Sequence, residues 1–104
     1  MKSETKKHLG NYHRYLVKSL KDPREARAYL NAALEDDDPQ SFLVALRNVV
    51  KAHGVTKTTR LAKLNRVSCY KMLSKRGNPS LSSLYILLRA VGLSLRVDQS
   101  RALG

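Results

Sequence analysis

The sequence predicts an all-α domain that ends in one short β-strand. Three observations carry this. Apolar residues recur at helical spacing in three long stretches, Asp-Pro pairs and glycines mark where those stretches begin and end, and residues 93–98 alternate apolar and polar. A chain of 104 residues is one domain by length, and 42% apolar content can bury a modest core. It divides into an N-terminal basic segment, residues 1–21, partly flexible until about Asn11, and a single domain over 22–104.

The first helix begins at Asp22-Pro23, an acceptor side chain followed by proline at the first helical position. Behind it Ala26, Tyr29, Leu30, Ala33 and Leu34 form one apolar stripe. The run Glu35 to Asp38 is read as a solvated acidic turn rather than a cation site, because adjacent carboxylates cannot converge on one ion. Asp38-Pro39 repeats the helix-start signal, and the next helix runs from Pro39 to His53 with Phe42, Leu43, Leu46, Val49 and Val50 inward. Gly54 is expected to end it as a left-handed residue. The last helix, Ser80 to Val91, carries Leu81, Leu84, Leu87, Leu88 and Val91 and is closed by Gly92. The alternating strand after it has no partner within a helical domain, so it is expected to pair with its copy in a homodimer.

Charge indicates the partner. The formal net charge is +12, and between Pro39 and Val97 there is no acid at all, against eleven Lys or Arg. Such a domain gains free energy from a polyanion by releasing its condensed counterions. Nucleic acid is the default partner. A membrane surface is excluded by the lack of any basic face paired with Trp or Phe, and no apolar run is long enough to span a bilayer.

Between Gly54 and Ser80 the chain is polar and basic with small, sparse apolar positions, which fits two short helices and a tight turn. Thr56 is expected to cap the first helix, leaving Lys57, Arg60 and Lys63 exposed. Asn65 is expected to cap the second, from Arg66 to Lys75, with Cys69, Met72 and Leu73 inward and Ser68, Lys71 and Lys75 outward. This is a helix-turn-helix over about residues 56–75, in which the second helix presents short polar and basic side chains to a DNA groove. Arg66 is the first candidate for reading a base, because arginine can bridge the O6 and N7 acceptors of guanine. Asn65, Ser68 and Lys71 are second candidates for bases or phosphates. Thr56 lies at the same edge, and Lys57, Arg60, Lys75 and Arg76 are assigned to phosphates, which set affinity and register.

The stretch from Tyr15 onward also resembles a known family in Ala28 to Glu35, Asp38-Pro39, Leu46, Gly54, Leu64, Arg66, Tyr70-Lys71, Leu73-Ser74, Gly77 to Ser80, and Leu88 through Ala90 to Gly92-Leu93. These residues resemble, in register and without a gap, the HigA-type addiction-module antitoxins with a lambda-repressor-like (Xre-type) helix-turn-helix. The resemblance implies a fold of about five helices, a homodimer, and binding to an inverted-repeat operator that represses the module's own promoter. It also implies capture of a RelE/ParE-like (HigB-type) toxin. The family's turn carries glycine, an apolar residue, a serine cap, Arg and Glu, where this chain has Lys63, Leu64, Asn65, Arg66 and Val67. Thr58 and Thr59 stand where it prefers an aliphatic residue and alanine. A shifted reading takes Leu61-Ala62 as the inward pair and Ser68 as the cap; the unshifted one keeps Gly54 and the Gly77-Asn78-Pro79 turn in register.

Nothing in the chain points to an enzyme, a cofactor or a metal. His8, His13 and His53 lack ligand spacing, the lone Cys69 reads as a small hydrophobe, and one cysteine permits no internal disulfide. A polar N-terminus without a signal-peptide pattern and this cysteine usage suit a cytoplasmic protein. Two alternatives to the antitoxin remain: a stand-alone prophage-type repressor without a toxin partner, and a module whose basic surface captures an acidic protein or RNA.

Overall fold

The computed structural model describes residues 2–100, with side chains from residue 11 onward. Its described residues form six helices: α1 (Lys2–Ser19), α2 (Pro23–Leu34), α3 (Gln40–His53), α4 (Val55–Ala62), α5 (Arg66–Met72) and α6 (Leu81–Ala90). The all-α class is as expected. The count is one higher than the five anticipated, and α1 is the addition. No helix among the described residues is long and apolar enough to cross a membrane.

The central element is α3. It packs against α1, α2 and α4, and α4 in turn packs against α5 and α6. Leu46 and Val49 of α3 are fully buried, as are Leu20 after α1, Leu73 after α5, and Leu87 and Val91 of α6 and its cap. Burial of such a side chain contributes about 1.5–3 kcal/mol. Leu34 and Leu81 share the apolar stripes of α2 and α6 yet lie 59% and 72% exposed, because each sits at a helix end beyond the edge of the core.

The helix starts follow local chemistry. Asp22 accepts from the Arg24 N–H at 2.9 Å, and that bond with the Arg24 guanidinium holds its carboxyl below the usual range. Asp38 accepts from the Gln40 N–H at 3.0 Å, so α3 begins one residue after Pro39. Ser80 caps α6 by accepting from the Ser83 N–H at 3.1 Å.

Three expectations differ from the structure. Residues 93–98 carry no strand, since extended backbone becomes a strand only by pairing and the described residues offer no second one. Gly54 has φ 98° and ψ 119°, positive in φ but outside the left-handed helical region. It closes α3 and immediately opens α4, whose first residue is Val55. Thr56 therefore lies inside the first turn of α4, exposed, and does not cap it.

Candidate nucleic-acid interface

The pair α4 and α5 is joined by a three-residue turn. Lys63 occupies the left-handed region at φ 54° and ψ 43°, the one positive-φ residue other than glycine among those described. That conformation costs a side chain with a Cβ about 1 kcal/mol, and here its N–H donates to the Arg60 and Thr59 carbonyls. The Leu64 N–H also donates to the Thr59 carbonyl at 2.9 Å, which closes the end of α4. Lys63→Gly should therefore stabilise the fold by about 1 kcal/mol, read as a higher denaturant midpoint. An unchanged or lower midpoint would show that the Lys63 side chain supplies compensating contacts.

Asn65 begins α5 in extended conformation, its Oδ1 accepting from the N–H groups of Val67 at 2.8 Å and Ser68 at 3.2 Å. The cap is Asn65, as in the unshifted reading, and Ser68 lies within the helix. Cys69 and Leu73 are buried, and burial pushes the Cys69 thiol up. The helix ends at Met72 rather than at Lys75, because Leu73 leaves helical geometry and the Ser74 hydroxyl takes the Lys71 carbonyl at 2.8 Å.

Thr56, Lys57, Arg60, Asn65, Arg66, Ser68, Lys71, Lys75 and Arg76 are all exposed. The structure groups Asn65, Arg66, Ser68 and Lys71 on one short helix, with Arg66 at its first position. Thr56 and Lys57 share the first turn of α4 and Arg60 its last. Lys75 and Arg76 belong instead to the turn after α5. Lys75 lines a groove together with Asp36, Asp38 and Gln40 at the α2–α3 connection.

Several contacts fix α5 from below. Arg47 of α3 places its guanidinium 5.0 Å from the ring centre of Tyr70, while its Nε is buried without a hydrogen-bond partner. This cation–π contact contributes on the order of 1 kcal/mol. Beyond α5, the Gln40 Nε2 donates to the Gly77 carbonyl at 3.0 Å and ties the turn to the start of α3. Thr59 satisfies its hydroxyl on the Val55 carbonyl at 2.8 Å, whereas the buried Thr58 hydroxyl faces no partner. Sequence reading places Arg47 off the apolar stripe with Lys51 but not against Tyr70, because spacing along one helix carries no signal for a ring on another. Among the described residues no three His, Cys, Asp or Glu side chains gather as a metal site.

Residues 13–99 match the model of a family described as "Probable addiction module antidote protein". A protein of Haemophilus influenzae described as "Uncharacterized protein" is 31% identical over 86 residues, which span 83% of this chain and 89% of the relative. No solved structure matches the chain. The chain belongs to the probable addiction module antidote family. Membership implies, in general terms, an antitoxin with a cognate toxin.

Proposed function

We propose that this member of the addiction module antidote family is a sequence-specific DNA-binding antitoxin of a type II toxin–antitoxin module. It binds an inverted-repeat operator as a homodimer, represses its own promoter and neutralises a RelE/ParE-like (HigB-type) toxin. It acts by binding rather than catalysis and works in the cytoplasm. The observation that carries the DNA-binding part is α5: an Asn65-capped helix with Arg66, Ser68 and Lys71 exposed, in a stretch holding eleven Lys or Arg and no acid. The HigA-type, lambda-repressor-like identity rests on the register of the quoted residues and on a turn that keeps left-handed geometry at Lys63.

One observation favours the stand-alone repressor as a second reading. A chain of net charge +12 is poorly suited to neutralise a basic toxin, and its acids are concentrated in residues 22–38. Footprinting on the chain's own promoter should show two symmetric protected half-sites. Co-purification at low and high salt with the product of a neighbouring small reading frame should recover a stable complex. Protection without symmetry would remove the homodimeric operator, and no complex at either salt would leave the repressor without a toxin.

A further inference from the structure

A second concentration of positive charge lies away from α5, in a cleft between α1 and the C-terminal end of α3. Its rim carries His13, Arg14, Lys18 and Lys21 from the first helix and the turn after it, with Lys51 and His53 from α3. Arg14 and Lys18 are spaced i and i+4 on α1, which sets them on one face, and Lys21 follows in the turn. No carboxylate lines the cleft, and the one ion pair among the described residues joins Arg24 to Asp22.

Helix dipoles account for part of this arrangement. Lys18 sits in the last turn of α1, and Lys51 and His53 in the last turn of α3, where a cation is favoured. They do not account for Arg14 or Lys21, and each added cation raises the repulsion within a single cleft. At the rim, burial and then the charge of neighbouring Lys57 hold the His53 imidazole below its usual range, and its Nε2 is buried without a partner. A polyanion in the cleft would offset the repulsion among its cations.

The position of the cleft identifies which polyanion. Gly54 lies at its end and joins α3 directly to α4, whose first turn bears Thr56 and Lys57. The cleft is thus continuous with residues already assigned to the DNA backbone. We propose that the α1–α3 cleft is a second phosphate-binding track, which takes the sugar-phosphate backbone of the duplex beyond the base pairs faced by α5. The inference rests on the DNA-binding reading above and extends it to the N-terminal helix.

The test uses the full chain and fragments of its own promoter, one limited to the base pairs faced by α5 and one longer by about one helical turn of DNA. Arg14, Lys18 and Lys21 are exposed, so Arg14→Gln/Lys18→Gln/Lys21→Gln removes charge without opening the core. Its plot of log affinity against log salt on the longer fragment should be shallower by about 2–3, since each lost phosphate contact removes about 0.9. The wild-type chain should gain affinity from the longer fragment, and the variant should lose that gain on every sequence. A control, Arg24→Gln/Arg27→Gln/Arg96→Gln, removes equal charge elsewhere and should keep the wild-type slope. An unchanged slope in the cleft variant, or an equal change in the control, overturns the track and leaves DNA binding by α5 standing. A wild-type chain that binds no duplex removes both readings, and preferential binding of the cleft to single-stranded RNA or an acidic protein would overturn the duplex assignment.

Discussion

Gly77→Ala is expected to destabilise the protein by about 3 kcal/mol, the upper range for forcing an extra group into a packed site. The reason is room rather than backbone conformation. Gly54 and Gly92 have positive φ and no close obstruction, whereas a Cβ at Gly77 would overlap the Met72 carbonyl oxygen. It would also lie 2.6 Å from the Met72 carbonyl carbon and 3.0 Å from the Lys71 oxygen. All three are backbone atoms at the end of α5, so no rotamer change can clear them. Relief requires moving Gly77 itself, which donates to the Ser74 carbonyl at 2.9 Å and accepts from Gln40 at 3.0 Å. A thermal melt should fall by roughly 10–20 °C, and DNA affinity should fall with it as α5 loses its anchor. A shift under about 1 kcal/mol would mean that the turn relaxes as a unit.

Arg66→Ala is expected to act on binding and to leave folding almost untouched. Arg66 is exposed at the first position of α5, and the structure assigns its side chain no ion pair or hydrogen bond. Loss of a bidentate arginine–guanine contact costs on the order of 1–3 kcal/mol and falls on one base position. Affinity for the operator should therefore drop by about 5- to 150-fold, while affinity for unrelated DNA drops much less and discrimination at one position relaxes. Titration of the operator and of single-position variants measures both. A uniform loss on all sequences would make Arg66 a phosphate contact, and no loss would remove α5 as the reading helix.

What the sequence reveals of this fold is what short-range chemistry decides. Asp22-Pro23, Asp38-Pro39, Asn65 and Ser80 mark helix starts because a cap bonds to N–H groups two or three residues on. Features set by distant partners are harder to read. Residues 93–98 have strand periodicity, but periodicity reports faces and not whether an edge exists to pair with. Leu73 falls inward at helical spacing from Cys69 and is buried, yet it lies past the helix, since a turn can deliver the same side chain to the same core. The left-handed backbone at Lys63 is not signalled by the residue type, and only the glycine that the resembled family carries at that place points to it. Of the candidate site, the residues grouped on α5 were legible. The groove that Lys75 shares with Asp36 and Asp38 and the stack of Arg47 on Tyr70 were not, because both depend on how α3 lies beneath.

The single-residue joint at Gly54 constrains how such a protein adapts to its target. With no linker between α3 and α4, and a three-residue turn to α5, very little backbone separates the head from the core. On the proposed homodimeric operator binding, a protomer built this way would have little internal slack with which to accommodate altered distance between two half-sites. Tolerance to operator spacing would then be a property of the contact between copies, and selection for a new spacing would act there first.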